Sequence, residues 1–260
     1  MAKKNNTVFQ NTWILFATAT FLLAAGGLMK TFPVLIFVGF VPLFAISDLS
    51  KDKDSPWNHL ELILLSLAVF LFCAQILNPS HVILVIIQAI LLTFAFAGYA
   101  FLYQSLGSRL GKFTIIFFWL GLEYLMLKLP WRNDFFFLAD ALELRPLWWK
   151  WNANLGYLAI TIWVLVVNLA FYLAILKTTS INWLLIASAI LLIAGPVVYS
   201  VYFLEVPGIN RGQMIALYNT GSTTFSENYQ NRGELISRSA AWVSVLILLL
   251  AIVKYKIKKK

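Results

Sequence analysis

Cysteine and histidine are almost absent from this chain. Its 260 residues include one cysteine, Cys73, and two histidines, His59 and His81. A lone cysteine excludes an internal disulfide framework and a cysteine-rich metal site. The two histidines are predicted to lie on opposite sides of a membrane, so they cannot form a metal-binding pair. We therefore expect no metal and no cofactor.

Charged residues are also scarce. Only 12% of the residues are charged, whereas 61% are hydrophobic and 16% are aromatic. A soluble domain cannot bury this much apolar surface, so the composition predicts an integral membrane protein. The net charge of +9 does not indicate nucleic-acid binding, because the basic residues lie at the two ends and in short loops.

Eight apolar runs are long enough to be considered as membrane spans, which need about 20 residues each. They cover residues 13–29, 32–46, 60–77, 82–103, 113–127, 155–176, 183–204 and 236–253. We predict an all-α polytopic membrane protein with about eight transmembrane helices. The second run is short and contains Pro33 and Pro42, so we expect it to be kinked or only partly inserted.

The distribution of lysine and arginine predicts the orientation. Lysines follow the start of the chain at Lys3 and Lys4 and are concentrated again at residues 254–260. Because cytoplasmic segments carry an excess of Lys and Arg, we expect both termini in the cytoplasm. Two longer loops, residues 128–154 and 205–236, then lie outside. The chain divides into a seven-span region (1–204), a short outer loop (205–235), and a final helix with a basic tail (236–260).

Two polar residues are predicted to lie inside spans. Glu123 is in the fifth run and Asn168 in the sixth. A polar group in hydrocarbon is costly and suggests a functional role by default. A purely structural role is the alternative, in which a hydrogen bond between Glu123 and Asn168 satisfies both.

Aromatic residues are unusually dense in the first outer loop. The group is Trp131, Phe135, Phe136, Phe137, Trp148, Trp149 and Trp151. An interfacial belt is one interpretation, because Trp and Tyr favour the membrane surface. With Arg132 and Arg145 beside it, the loop also suits a segment that lies on the outer leaflet and grips acyl chains or a lipidated partner.

Four stretches of the chain resemble the membrane region of the apolipoprotein N-acyltransferase family. They are Gly-Phe-Val-Pro-Leu-Phe at residues 39–44, the run around Glu123 at 117–125, the passage with Trp151, Gly156, Trp163 and Asn168 at 148–168, and the junction with Arg232, Gly233 and Glu234 at 229–239. They occur in the family's order and at the corresponding spans. The resemblance implies the inner (cytoplasmic) membrane of a bacterium.

The resemblance does not extend to the family's catalytic domain. In that family a nitrilase-like domain between the seventh and eighth spans supplies Glu, Lys and Cys, and its cysteine transfers an acyl chain from phospholipid to a lipoprotein. A domain of this kind needs on the order of 100 residues or more, and here the gap is residues 205–235. The outer loops contain no cysteine, so no position matches the nucleophile.

These observations predict a catalytically inactive relative that binds or scaffolds a partner protein, a lipid or a lipoprotein in the membrane. Bound phospholipid is the candidate small-molecule ligand. The alternatives are the membrane half of a split N-acyltransferase and a small lipid-handling or transport protein. In the first case, loss of the domain should expose Phe135–Phe137 and 148–151 to a partner, with Arg132, Arg145 and Arg211 at the rim. Residues 214–218 are expected to form a short remnant strand.

Overall fold

The structure, a computed structural model, describes residues 11–29, 32–49, 59–75, 81–106, 111–129, 134–142, 144–145, 148, 151, 158–177, 181–203 and 223–258. No strand occurs in these ranges, so the predicted all-α class is confirmed for them. The helices are α1 Thr12–Leu28, α2 Ile36–Gly39, α3 Val41–Leu49, α4 Leu60–Ala74, α5 Val82–Leu106, α6 Gly111–Leu127, α7 Ala159–Ile175, α8 Trp183–Val198 and α9 Thr223–Lys258.

Each of the eight apolar runs is mostly helical over the residues that the structure describes, but the helices differ in length. Among the described residues, Val82–Leu102 and Trp183–Tyr202 are long and apolar enough to cross a membrane. Five apolar segments are shorter: Thr12–Leu28, Pro33–Leu49, Leu60–Ala74, Phe113–Leu127 and Ala159–Ile175. α9 begins at Thr223, inside the segment that was expected to be a loop, and no proline interrupts it. The predicted strand at 214–218 lies outside the described residues.

The helices form one bundle with a continuous aromatic and aliphatic interior. α1 packs against α2, α3 and α4, α5 packs between α4 and α6, and α7 contacts α2, α3, α6 and α8. α9 packs against α6 and α5. At the centre, the ring of Phe40 contacts the rings of Phe70 and Trp119 edge to face.

Two helix crossings depend on glycine. A Cβ at Gly27 of α1 would lie 3.0 Å from the backbone nitrogen of Ala74 in α4. A Cβ at Gly121 of α6 would lie 3.2 Å from the Cα of Ala241 in α9. Small residues allow backbones to approach this closely, as is common between helices in membranes.

The second run is broken, as its prolines predicted. A 3₁₀ turn, Pro33–Leu35, leads into α2, and the helix is interrupted at Phe40 before α3 begins. Pro42 has no N–H to donate to the turn before it, which weakens the helix at this point. The segment is not peripheral, because every side chain from Val41 to Ser47 is buried.

Asn168 of α7 fills the gap in the broken run. Its Oδ1 accepts a hydrogen bond from the N–H of Phe40 at 2.9 Å, and its Nδ2 donates to the carbonyl oxygen of Ile36 at 2.8 Å. In a continuous helix this N–H would bond that carbonyl directly. The Asn168 amide therefore takes the place of one backbone hydrogen bond of a continuous helix. Backbone groups inside a bilayer need such a partner, because no water reaches them.

Candidate functional site

A stretch of chain outside the α-helices enters the bundle between α6 and α7. We call Asp134–Leu138 the anchored segment, and its last residue begins a 3₁₀ helix, Leu138–Leu142. It lies at the end of the bundle where α4 and α6 finish and where α5 and α7 begin. Phe135, Phe136, Phe137 and Leu138 are all buried. The interior of the protein therefore encloses this segment.

Gln88 of α5 holds the middle of the anchored segment. Its Nε2 donates to the carbonyl oxygen of Phe136 at 2.5 Å, and its Oε1 accepts from the N–H of the same residue at 3.2 Å. Gln88 itself is fully buried. One side chain thus satisfies both backbone groups of Phe136, as a neighbouring strand would in a sheet.

Glu123 of α6 holds the end of the anchored segment. Its Oε1 accepts three hydrogen bonds, from the N–H of Leu138 at 3.2 Å, the indole N–H of Trp119 at 3.0 Å and the hydroxyl of Thr161 at 3.3 Å. Its Oε2 is buried and, within the described part of the chain, has no hydrogen-bond partner. The two oxygens of this carboxyl group therefore have opposite environments.

Gln75 and Asp140 complete the anchoring. Gln75 of α4 donates to the carbonyl oxygen of Asp134 at 3.4 Å. The Asp140 carboxylate accepts from the N–H of Phe137 at 2.7 Å and fixes the turn that follows. Three consecutive helices, α4, α5 and α6, thus bind the backbone at residues 134, 136 and 138 in that order.

The expected hydrogen bond between Glu123 and Asn168 is wrong. Glu123 bonds the anchored segment and Thr161, whereas Asn168 bonds the broken run. The reason is the position of the two residues along the helix axes. Glu123 bonds Thr161, and Thr161 lies about 10 Å from Asn168 along α7, at about 1.5 Å per residue. Both residues are buried and hydrogen-bonded, as the structural interpretation predicted.

The expected exposure of Phe135–Phe137 is also wrong. These side chains are 4%, 7% and 6% exposed, so they cannot form a docking patch on the surface. The ring of Phe136 contacts Phe70 of α4 edge to face, with centroids 5.7 Å apart. The backbone anchors draw the segment inward, and its aromatic side chains then contribute to the core.

The other loop candidates are partly covered. The Arg145 guanidinium lies 5.9 Å from the ring centroid of Trp148, whose ring also contacts Phe32. The backbone N–H of Trp151 donates to the hydroxyl of Ser200 at 2.9 Å. Arg145, Trp148 and Trp151 are half-buried, so the predicted exposure of Trp148 and Trp151 is only partial. Trp131, Arg132, Trp149 and Arg211 lie outside the described residues.

Cys73 lies in an apolar part of the bundle. It is buried in the last turn of α4, in an apolar run with Phe70, Leu71 and Phe72. A nucleophilic thiol needs a base and a donor set for the developing negative charge. Among the described residues, no cluster of three His, Cys, Asp or Glu side chains could hold a metal ion.

A second polar cluster lies at the opposite end of the bundle, where α3 and α7 finish. Asp48 accepts a hydrogen bond from the Tyr99 hydroxyl at 2.5 Å, a second from the Tyr172 hydroxyl, and a third from the Lys177 ammonium at 3.2 Å. We call these four residues the Asp48 cluster. It joins α3, α5 and α7, and only its lysine is largely exposed.

Sequence reasoning missed Gln88 and the Asp48 cluster. The sequence does carry a signal for Gln88, because it is the one strongly polar residue among residues 82–92. The sequence carries no comparable signal for Asp48, because it stands close to the charged residues 51–54. Its tyrosine partners are far apart in the chain, and no local pattern connects them.

An apolar groove of about 460 Å³ lies on the outside of the bundle between α6, α7 and α9. Its lining is apolar except for Ser239, and the other residues are Phe113, Ile116, Phe117, Leu120, Ile162, Val166, Ile236, Ala240 and Val243. Such a groove would accept hydrocarbon and offers almost nothing to a polar ligand.

No protein-family model matches this chain, and neither the curated proteins nor the solved structures include a match. The resemblance to the apolipoprotein N-acyltransferase family therefore stays a prediction.

Proposed function

We propose that this chain is a multi-pass membrane protein without catalytic activity of its own, which binds lipid or a partner protein within the membrane. It belongs, in this proposal, to the inner membrane of a bacterium with both termini in the cytoplasm. The lipid or a lipoprotein is the expected ligand class. No metal or cofactor is part of the proposal.

The distribution of polar and apolar side chains carries the proposal. Leu184 and Leu191 on α8 are 81% and 69% exposed, whereas Gln88, Asn168 and Glu123 are at most 1% exposed. A water-soluble protein would not combine an apolar exterior of this extent with polar groups inside. In a bilayer the arrangement is favourable, since hydrocarbon surrounds the leucines and the protein satisfies the polar groups.

The interior supports a binding role more than a catalytic one. Most hydrogen bonds of its polar side chains go to backbone groups of the same chain, as for Gln88, Glu123 and Asn168. The only cysteine is buried among apolar residues. Acyl transfer of the kind that the resemblance suggests would need an accessible thiol with an adjacent base.

Transport is the second candidate, and the break at Phe40 favours it. Discontinuous helices supply binding groups in many transporters. Here, however, Asn168 already occupies the polar groups at the break. A transport cycle would have to move Asn168 away from Ile36 and Phe40. Flux in liposomes that contain the purified chain tests this candidate directly.

Purification from native membranes in a mild detergent tests the proposal. We expect the chain to resist alkaline extraction and to co-purify with a specific protein or lipid. Replacement of Arg132 and Arg145 by glutamate should release a protein partner, whereas Arg238→Glu on α9 serves as the matched control. Phe136 is left unchanged, because its substitution would damage the core.

The same preparation separates the alternatives. Given phospholipid and a diacylated lipopeptide, the purified chain should transfer no acyl group, and Cys73→Ala should change nothing. Transfer that Cys73→Ala abolishes would refute the non-catalytic proposal. A co-purifying nitrilase-like protein that restores transfer would indicate the split enzyme. Release of the chain by alkaline extraction would contradict the membrane assignment itself.

A further inference from the structure

The anchored segment is bound mainly through its backbone, although it is part of the core. Gln75, Gln88 and Glu123 contact residues 134, 136 and 138, and each contact is to a carbonyl oxygen or an N–H. Backbone recognition at alternate residues is how proteins hold an extended peptide. The bundle therefore binds the backbone of this segment in the way that a protein binds a peptide ligand.

The contacts leave polar groups unused. Glu123 Oε2 and Gln75 Oε1 are buried acceptors without a hydrogen-bond partner among the residues that the structure describes. An unsatisfied buried acceptor is costly, so native interiors rarely keep one without a role. Both atoms belong to side chains whose other polar atom holds the anchored segment. The site can thus accept more donors than the segment provides.

The position of the segment determines what lies behind it. Glu123 accepts a hydrogen bond from the N–H of Leu138, and Thr161 donates to the same Glu123 oxygen behind it. Both residues are almost completely buried. Gln88, which holds the middle of the segment, is also fully buried. Movement of the segment would expose this polar layer at the end of the bundle where α4 and α6 finish.

We propose that the anchored segment is a plug that closes the polar layer of Gln88, Glu123 and Thr161, and that Gln88 is the residue that holds the plug in place. Gln88 provides two of the backbone hydrogen bonds and is the one side chain that binds both backbone groups of a single residue. When the plug opens, water or a donor ligand reaches Glu123 Oε2. This device does not depend on which partner or lipid the protein binds.

Cysteine accessibility in the full-length protein tests the plug. The reporter is Thr161→Cys in a Cys73→Ala background, and the probe is a membrane-impermeant maleimide applied separately to each side of sealed vesicles. We expect slow labelling from one side only. Gln88→Leu, which removes both hydrogen bonds to Phe136, should accelerate labelling from that side about tenfold, because more of the protein is then open.

Thr93→Val is the matched control on the same helix. The Thr93 hydroxyl donates only within α5, to the carbonyl oxygen of Ala89 at 2.7 Å, so labelling should not change. If Gln88→Leu does not insert, Asp140→Ala removes the cap on Phe137 and should accelerate labelling in the same direction. Rapid labelling of the reporter without any loosening variant would overturn the proposal. So would unchanged protection in both loosening variants.

Discussion

Trp163 of α7 donates its indole N–H to the carbonyl oxygen of Leu192 in α8 at 2.7 Å. In a regular helix this carbonyl would bond the N–H of residue 196, but Pro196 has none. The tryptophan therefore satisfies the acceptor that the proline leaves free. This hydrogen bond also links α7 to α8, whose other side-chain contacts with the bundle are apolar.

Trp163→Phe should destabilise the protein by about 1–2 kcal/mol, because the Leu192 carbonyl loses the hydrogen bond from the indole N–H. Denaturation in mixed micelles, followed by tryptophan fluorescence or far-UV circular dichroism, measures the loss. Trp183→Phe is the matched control, since Trp183 is 72% exposed. Equal stability of the two variants would show that the hydrogen bond contributes nothing.

Asn168→Leu should cost about 1–3 kcal/mol, since it removes the buried hydrogen bonds from the Asn168 amide to the N–H of Phe40 and the carbonyl of Ile36. The same denaturation experiment measures it. Asn182→Leu is the control, because Asn182 only caps the start of α8 by accepting from the N–H of Leu185. A loss at position 168 no greater than the loss at 182 would contradict the bridging role of Asn168.

The Asp48 cluster allows its own contacts to be ranked. Tyr99→Phe and Tyr172→Phe should each cost about 1 kcal/mol, because each removes one partly buried hydrogen bond to Asp48. Lys177→Met should cost less than about 0.5 kcal/mol, because the Lys177 side chain is 47% exposed. A double-mutant cycle between the two tyrosines should show coupling through the shared carboxylate. A dominant effect of Lys177 would reverse this ranking.

Alanine substitutions at Gly27 and Gly195 compare a tight helix contact with an open position. Gly27→Ala should destabilise the protein by about 1–3 kcal/mol, because the added methyl group meets the backbone of Ala74 and forces α1 and α4 apart. Gly195→Ala on α8 meets nothing within 4 Å and should be neutral or slightly stabilising. Thermal unfolding in the same detergent compares them. Similar effects at both positions would show that the α1–α4 contact is looser than the structure has it.

Topology is the remaining prediction. In a Cys73→Ala background, cysteines placed near Lys4 and Lys256 should react only with reagents that reach the cytoplasm, and a cysteine at Gln213 only with reagents outside. The charge distribution gives the reason. Labelling of the two ends from opposite sides would mean an odd number of crossings and would remove most support for the family resemblance.

The sequence predicted helices better than contacts. The apolar runs and the prolines at 33 and 42 were enough to place the helices and the break, because both depend on local composition. The choice of partners for Glu123 and Asn168 depends on depth and rotation, which follow only from packing. The three phenylalanines at 135–137 looked exposed because their loop is long and aromatic. Their burial depends on Gln88, which is distant in sequence.

α8 shows how much this fold relies on its surroundings. Among the residues of Trp183–Val198 only Ala189 is buried, although Ile186, Ile193 and Val197 pack partly against the core. The helix is long and apolar enough to cross a membrane, and in the proposed membrane location the thickness of the surrounding hydrocarbon would act on it directly. A bilayer that is too thin or too thick would tilt α8, at a cost of fractions of a kcal/mol per Å of mismatch. The lipid composition of the membrane would then change how tightly α8 packs against α7.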